Sequence, residues 1–429
     1  MFRTLFRLIV AFGVVGLLGF LIYAYRPSIE PLSADAVQEF DAELIAKGEV
    51  LAAAGYCSNC HTVDGEPAYA GNYAMETGFG TIYSTNITPD PEMGIGNWSR
   101  EAFARAMQDG VDREGKHLFP AFPYDHFTKM TDEDVDALYA YIMTEIPPAQ
   151  VAQKENELPF PLNLRVLQAG WKMLFVDFGR YEADVEKSDE WNRGAYLVEG
   201  LTHCGACHTP RNPLGAEISS EQYQGAAIDQ WIAPALTSAS PAALGWTAED
   251  FSSYLKDGAT VSHGVAAGPM GPVVHAGLRE LPDSDLAAIG VYLADVGGAP
   301  EATENTADII AASLEAGRPD QQYRRDLGER LYATGCASCH YNMEQIALGR
   351  PDLGINSAVR LSEPDNLIHV ILNGVGNEEG ISGVVMPGFR DAFDDTEVAA
   401  IAAYLRASRT SNAPWAELET KIEDIRAAK

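Results

Sequence analysis

The sequence is poor in basic residues, with 30 lysines and arginines against 61 aspartates and glutamates among 429 residues, and its net charge is -31 at neutral pH. This charge argues against a nucleic-acid ligand and against docking on anionic lipid through a basic patch. Long low-complexity tracts are also missing, and 46% of the residues are hydrophobic. The composition predicts a folded protein, at a length typical of about three domains.

Fingerprints of several catalytic sites are missing as well. The sequence contains neither a nucleophile-base constellation nor a flavin or nicotinamide fingerprint. The glycines of GNYAMETGFG (71–80) do not form GxGxxG, so we expect that segment to be a loop. We therefore predict that the chain is not itself an enzyme.

Cysteine is scarce, and its six copies all fall in three CxxCH motifs. A zinc site pairs its CxxC knuckles to reach four ligands, which an odd number of knuckles does not fit, and thiol-disulfide oxidoreductases have no use for the adjacent histidine. Covalent haem attachment uses every part, because two thiols bond the porphyrin and the histidine is the fifth ligand of the iron. We therefore predict three haems c, held by these residues: Cys57, Cys60 and His61; Cys204, Cys207 and His208; Cys336, Cys339 and His340.

The three motifs lie in a repeat of helical patterns. A short pattern introduced by glycine precedes each motif, and far behind each motif lies a second pattern with an acidic first turn and a threonine or serine near its start. Between them, each repeat has a further helical segment that ends on glycine, as helix C-termini commonly do. Strand patterns are nearly absent. We predict an all-α chain in which two helices of each repeat cross in an arrangement that resembles the class I cytochrome c fold.

The repeats also predict how the chain is divided. The expected segments are a transmembrane anchor (1–30), cytochrome c domain 1 (34–146), a linker (147–187), domain 2 (188–298), a second linker (299–322), domain 3 (323–410) and a C-terminal tail (411–429). The first linker contains the apolar stretch WKMLFVDF (171–178). This stretch either packs between domains or faces a partner subunit.

An uncharged run from Leu8 to Tyr25 follows Arg3 and Arg7 at the N-terminus. A helix of about 18 residues just crosses roughly 30 Å of hydrocarbon. A cleaved signal peptide is the alternative, but its apolar region is usually about 7 to 15 residues and ends in an A-x-A-like site. We expect a retained anchor, with the arginines on the cytoplasmic side and the haem domains in the bacterial periplasm.

A haem iron that transfers electrons usually has a second axial ligand, and methionine raises its potential relative to histidine. In the third repeat Met386 stands in VVMPGF, ahead of the final helix, where class I cytochromes keep their methionine. In the second repeat Met270, in AAGPMGPVVH, is the expected ligand. The nearby His263 and His275 are interpreted as surface residues or propionate contacts.

The first repeat has Phe122 where a methionine would be expected. Met130 comes directly before the cap of the final helix, which is the position of a hydrophobic staple with Val135. His126 lies in the middle of the loop. We expect His126 to be the sixth ligand, with Met130 or no protein ligand as the alternatives. A His/His iron should have a lower potential than its His/Met neighbours.

Longer stretches around the motifs resemble a known family. STNITPDPEMGIGNW (84–98), GKHLFPAFPYDHFTKMTDEDVDALYAY (115–141) and LPFPLNLR (158–165), together with the CxxCH motifs, are similar to the three-haem cytochrome c subunits of bacterial membrane-bound dehydrogenases. That family serves periplasmic oxidation of alcohols, aldehydes, gluconate, sorbitol and fructose. The resemblance implies a separate catalytic subunit and a relay of single electrons through this chain to ubiquinone or the respiratory chain.

The resemblance leaves the catalytic partner open. FPYDHFT (122–128) is similar to cytochromes that accompany molybdenum hydroxylases acting on aldehydes or N-heterocycles, which implies a partner of that type with an iron-sulfur subunit. Aldehyde or alcohol oxidation is the expected reaction of the complex. The rival hypotheses are a cytochrome c subunit of a terminal oxidase and a haem peroxidase that uses an open first haem.

Overall fold

The structure is a computed structural model, and by its internal contacts the chain divides into two compact units, Met1–Glu182 and Ala183–Lys429. Both units consist mainly of helices joined by loops and short two-stranded ribbons. The residues that the structure describes are 2–33, 39–228, 230–238, 240, 245–298, 306–318, 326–340, 350, 352–376, 379–381 and 383–427.

The first unit begins with an apolar helix. Its elements are α1 (Phe2–Ala24), α2 (Ala42–Ala54), α3 (Cys57–His61), β1 (Ala74–Thr77), β2 (Gly80–Tyr83), α4 (Arg100–Asp109), α5 (Tyr124–Phe127), α6 (Asp132–Glu145) and α7 (Leu167–Phe175). At 1.5 Å per residue α1 is about 35 Å long, which is enough to cross a bilayer. By length and composition, α1 is compatible with the predicted membrane anchor.

The second unit contains the second and third CxxCH motifs. Its helices and strands are α8 (Asp189–Tyr196), α9 (Gly205–His208), β3 (Ala226–Ile228), β4 (Trp231–Ala233), α10 (Ala248–Asp257), β5 (Ala259–Thr260), β6 (Gly264–Val265), α11 (Met270–His275), α12 (Asp283–Val296), α13 (Thr306–Gly317), α14 (Leu327–Gly335), α15 (Ala337–His340), α16 (Ser357–Arg360), α17 (Asp365–Asn373), β7 (Gly374–Val375), β8 (Met386–Pro387), α18 (Asp395–Arg409) and α19 (Leu418–Ala427). A π-helical turn at Leu197–Leu201 extends α8. Short 3₁₀ turns lie at Ser219–Glu221 and Leu278–Glu280.

One helix crossing occurs once in the first unit and twice in the second. The helix ahead of each CxxCH motif packs against the last long helix of its repeat, so that α2 meets α6, α8 meets α12 and α14 meets α18. At each crossing a Cβ on a glycine would come within 2.8 Å of both the carbonyl carbon of an alanine and the Cβ of a tyrosine four residues later. The glycine, alanine and tyrosine sets are Gly48, Ala137 and Tyr141; Gly194, Ala288 and Tyr292; Gly328, Ala400 and Tyr404.

The ends of these helices follow from local side-chain chemistry. Thr131 Oγ1 accepts a hydrogen bond from the backbone N–H of Asp134 at the start of α6, and Asp394 forms a capping box with Glu397 at the start of α18. The second repeat differs from the prediction, because Pro282 precedes α12 and makes no side-chain cap. The middle helices end as predicted, on glycines with φ of 60°, 79° and 80° at Gly110, Gly258 and Gly374.

The two-stranded ribbons correct the expectation of an almost wholly helical soluble part. GNYAMETGFG, expected to be a loop, contains β1 and the turn into β2, and Ala74 pairs with Tyr83 in an antiparallel register. Three further ribbons join β3 to β4, β5 to β6 and β7 to β8. Their strands have two to four residues, which is too short for an alternating pattern to be read from the sequence.

The segments expected to be linkers and a tail also contain helices. α7 lies within 147–187 and α13 within 299–322. In the C-terminal stretch α19 packs against α17 and α18, with Ile422 and Ile425 buried in the same apolar cluster as Val398 and Leu405. The last helix therefore contributes to the core around the third motif.

Candidate haem-binding sites

Each CxxCH motif forms or ends a one-turn helix, α3, α9 or α15. Helical spacing brings residues three apart to the same face, so the two thiols of each motif are neighbours. In the first two motifs the residue ahead of the first cysteine, Tyr56 or His203, has a φ of 59° or 37° and turns the chain from the preceding helix into the motif. None of the six cysteines, all of which the structure describes, forms a disulfide.

The first thiol of each motif lies in a poorly solvated environment. Burial raises the pKa of Cys57 to about 12 and that of Cys336 to about 11, and the neighbouring thiol of each motif adds to the effect. Burial also raises the pKa of Cys204. A desolvated site of this kind disfavours the thiolate and hence metal coordination through sulfur, and it suits a thiol that ends in a neutral thioether.

The histidines of the first two motifs each make a hydrogen bond that fixes the ring. His61 Nδ1 lies 2.6 Å from the backbone oxygen of Thr85, and His208 Nδ1 lies 2.7 Å from that of Pro234. Because a carbonyl only accepts, Nδ1 carries the proton in both rings and Nε2 keeps a free lone pair. Burial lowers the pKa of both histidines, which favours this neutral form.

A neutral imidazole with its second nitrogen donating to a carbonyl is the usual state of a metal-ligating histidine. Two desolvated thiols beside such a ring are the donors that haem c requires for its two thioether bonds and its fifth ligand. In the third motif His340 Nδ1 is buried and has no hydrogen-bond partner among the described residues, and burial lowers the pKa of this ring too. The motifs therefore fit covalent haem, and their donor sets define a c-type cytochrome.

The sulfur ligands predicted for the other face lie at the edges of short elements. Met386 is in β8, paired with Val375 of β7, and is half-buried. Met270 is the first residue of α11 and is half-buried as well. Both side chains are thus partly accessible, as a sulfur that ligates a haem iron must be. Their bonds to iron stay a prediction.

The first repeat separates its two candidates by burial. Met130 is completely buried beside Val135, as the staple interpretation predicts, and its carbonyl accepts a hydrogen bond from Gln108 Nε2 at 3.2 Å. His126 lies on the one-turn helix α5 and is 8% exposed. The ring of Phe122 packs at 5.3 Å from that of Phe127. The role of His126 as a ligand stays a prediction.

The two other histidines of the second repeat have structural contacts, and neither is a free surface residue. His263 is buried, stacks on Trp246 with ring centroids 4.0 Å apart, and has Nε2 3.4 Å from a carboxylate oxygen of Asp250. His275 Nε2 donates to the backbone oxygen of Gly380 at 2.7 Å, and its Nδ1 lies 3.4 Å from a guanidinium nitrogen of Arg279. The surface interpretation is therefore wrong for His263, and His275 links the second repeat to a loop of the third.

Buried tyrosine pairs beside the first two motifs were missed by sequence reasoning. Tyr69 and Tyr141 share a hydrogen bond, and Tyr69 also bonds Ser58 inside the first motif. In the second repeat Tyr223 pairs with Tyr292, whose hydroxyl donates to Glu199 at 2.7 Å. A tyrosine at the same place in all three final helices was the signal, because it is the residue that touches the crossing glycine.

Comparison with known proteins extends the assignment from the motifs to the chain. The family model "Cytochrome c" matches residues 45–145, and the model "Cytochrome C oxidase, cbb3-type, subunit III" matches 324–405. The fructose dehydrogenase cytochrome subunit of Gluconobacter japonicus is 37% identical over 89% of this chain and 82% of its own length. The cytochrome c subunit of the quinone-type alcohol dehydrogenase of Gluconobacter oxydans is 35% identical over 91% and 83%.

A nicotinate dehydrogenase subunit of Pseudomonas putida is 44% identical over 97% of this chain, which spans about a third of that protein's length, 35%. The two relatives of similar length are matched almost from end to end. The chain belongs to the family of dehydrogenase cytochrome c subunits. It is an electron-transfer subunit that binds haem c covalently and not the catalytic subunit of its complex, as the sequence predicts.

Proposed function

We propose that the chain carries three haems c, one on each CxxCH motif, and relays electrons from a catalytic dehydrogenase subunit to ubiquinone or another respiratory-chain acceptor. The observation that carries the proposal is the glycine-alanine-tyrosine helix crossing, which accompanies every motif. A crossing repeated with its motif is what three copies of one haem module require. The predicted domains at 34–146, 188–298 and 323–410 follow these three crossings.

The chain's own residues have a defined task in this relay. Haem c supplies an iron that accepts and releases one electron at a time. The cysteines fix the group covalently, and the carbonyls of Thr85 and Pro234 hold the rings of His61 and His208 with Nε2 turned away from the carbonyl. Because these contacts are made by the backbone, side-chain motion does not disturb them.

We further propose Met386, Met270 and His126 as the sixth ligands of the third, second and first haem. The half-buried methionines in β8 and α11 support the first two. Complete burial of Met130 in the core supports His126 in the first repeat, since Met130 has no free side to offer. The first haem would then have the lowest potential of the three.

The catalytic partner is proposed to oxidise an aldehyde, an alcohol or an N-heterocycle. The names of the relatives support a dehydrogenase partner and span fructose, alcohol and nicotinate oxidation. Among these three relatives the nicotinate protein shares the highest identity, which supports a molybdenum hydroxylase with an iron-sulfur subunit as the partner. The α1 helix, with Arg3 and Arg7 ahead of its apolar stretch, supports anchoring in the cytoplasmic membrane with the haem modules in the periplasm.

One observation favours a second candidate. The match of 324–405 to a model named for an oxidase subunit would suit a cytochrome subunit of a terminal oxidase. That match covers the third repeat alone, whereas the dehydrogenase relatives cover nearly the whole chain. The dehydrogenase relay is therefore the better supported function.

Purification in mild detergent from the native membrane tests both functions. Mass spectrometry of the copurifying proteins should identify a substrate dehydrogenase subunit, and a haem assay per chain should give three. Substrate oxidation by the complex should reduce the haems before an added quinone. A haem-copper subunit in place of the dehydrogenase would contradict the relay proposal, and fewer than three haems would contradict the proposal of three haem modules.

A further inference from the structure

The segment between α6 and the second unit exposes a group of large apolar side chains. Phe160 is 79% exposed, Leu174 66% and Met173 59%. We define the apolar patch as Phe160, Leu164, Leu167, Met173, Leu174 and Phe178. A group of this size within 19 consecutive residues is not the scattered exposure that most protein surfaces show, and it marks an interaction site.

The helix α7 has its apolar and polar faces reversed relative to a helix in water. Its outward residues include Leu167, Met173 and Leu174, whereas the inward residues are Ala169 and Lys172. A helix on a soluble protein turns its leucines to the core and its lysines to solvent. An outward apolar face is the arrangement expected where the surroundings are lipid.

The inward lysine is held by hydrogen bonds and so fixes the orientation of α7. Lys172 is 3% exposed, and its Nζ donates to the backbone oxygens of Asp109 and Gly110 at 2.6 and 2.5 Å and to His117 Nδ1 at 3.2 Å. The three donors of the ammonium group are thereby all used. Rotating α7 to hide its leucines would break these bonds, so the apolar face is held outward.

The same contacts join α7 to the end of α1. His117 Nε2 donates to the backbone oxygen of Ala24, the last residue of α1, at 2.8 Å. The ring of Phe20 lies 3.4 Å from the point where a Cβ of Gly170 would be. Phe20 is about 6 Å along the helix axis from Ala24. The patch therefore begins at the level where α1 would leave the hydrocarbon.

We propose that the apolar patch is a second membrane contact, in which α7 and its flanking residues lie in the interfacial layer of the outer leaflet beside α1. The occupant is the lipid bilayer and not a partner protein, because the patch is continuous with the helix that is itself proposed to cross the membrane. Interfacial helices bury their apolar face about 5 to 10 Å into the boundary of headgroups and acyl chains. The contact relies on apolar insertion, as the chain's net charge of -31 requires.

The contact would fix the first haem module at a defined height above the membrane. A single helix followed by a free linker would leave the module to rotate and tilt. With α7 clamped to both Ala24 and the carbonyls of Asp109 and Gly110, the module has two supports on the bilayer. The module would thus stand close to the layer from which a membrane quinone is reached.

Photo-crosslinking of the full-length holoprotein in native membranes tests this inference. The photoreactive residue p-benzoylphenylalanine would replace Met173, Phe12 of α1, or Glu49, an exposed residue of α2 outside the patch. After irradiation, mass spectrometry of peptides distinguishes lipid adducts from protein adducts. We expect lipid adducts at Phe12 and Met173, with those at Met173 at least about tenfold more frequent than at Glu49. Haem absorbance checks that each variant is folded.

The inference rests on the proposed anchoring by α1, and the three positions separate the two. If Phe12 gives no lipid adduct, the anchor itself is wrong. If Phe12 gives lipid adducts but Met173 is crosslinked to a protein, or to nothing, then only the membrane contact of the patch is wrong. Lipid adducts at Glu49 as frequent as at Met173 would also overturn it, because proximity to the bilayer would not then be specific to the patch.

Discussion

Replacing Gly194 with alanine tests the helix crossing on which the second haem site is built. A Cβ at this position would lie 2.6 Å from the carbonyl carbon of Ala288 and 2.8 Å from the Cβ of Tyr292, whereas ordinary contacts begin at 3.4 Å. The helices α8 and α12 would therefore have to separate by about 0.8 Å. The neighbours are backbone and Cβ atoms, which cannot swing aside as a flexible side chain can.

The expected loss of stability is the difference of two effects. Overpacking of a well-packed contact costs about 1 to 3 kcal/mol. Alanine favours a helix interior over glycine by about 0.5 to 1 kcal/mol, which offsets part of this cost. We expect Gly194→Ala to lower the free energy of unfolding of its unit by about 1 to 2 kcal/mol, or Tm by about 3 to 8 °C in a unit of this size.

Thermal unfolding of the detergent-solubilised holoprotein, followed by circular dichroism, measures the effect. The matched control is Gly78→Ala, since Gly78 has no atom within 4 Å of its Cβ position and lies outside the left-handed region. We expect the control to be neutral or slightly stabilising. Equal Tm and equal haem content for both variants would refute the idea that close approach at Gly194 holds the site.

The same substitution at Gly48 and Gly328 tests whether the three crossings are equivalent. The nearest fixed atoms there lie at 2.6 and 2.7 Å for Gly48 and at 2.8 Å for Gly328, apart from the still closer carbonyl oxygens of Ala137 and Ala400. All three variants should lose stability to a similar degree. A neutral result at one position alone would show that its repeat is built differently.

Three further predictions concern single side chains. Met386→Ala should lower the potential of one haem and let carbon monoxide bind it when reduced, as redox titration and difference spectra would show; an unchanged titration would exclude Met386 as a ligand. His126→Phe should convert one haem from two histidine ligands to one, visible by electron paramagnetic resonance, whereas unchanged spectra would favour an open first iron. Burial lowers the pKa of Lys172 to about 7 from 10.5, so the unfolded state binds more protons between those pH values and the free energy of unfolding should rise with pH there. Lys172→Met should remove that rise in melts from pH 7 to pH 10, and an unaltered pH dependence would contradict it.

The helices around each motif could be predicted from the sequence because they are long and periodic. The patterns around Val135 in the first repeat and around the glycines that end α4, α10 and α17 predicted helices that the structure confirms. The fifth ligands were also within reach, since cysteine, cysteine and histidine at fixed spacing leave little choice of chemistry.

The parts that sequence could not predict depend on contacts between distant residues. The β1–β2 ribbon has four-residue strands closed around Gly78, too few residues for a period to show. The carbonyl groups of Thr85 and Pro234 that orient the histidines belong to the backbone, and no side-chain pattern announces them. Lys172 had the composition of a surface residue, and its burial follows only from the free carbonyls at the end of α4.

The haem sites share their construction on the histidine side and differ on the other, and this contrast bears on how a relay could be tuned. The first two histidines are held by a backbone carbonyl at 2.6 and 2.7 Å, so their hydrogen bonds alone give little reason for unequal potentials. The candidate ligands opposite are a buried histidine on α5 and half-buried methionines at the starts of α11 and β8. Methionine raises the potential of a haem iron and histidine lowers it, so an order of potentials would arise from loops that can vary while the crossing helices stay the same.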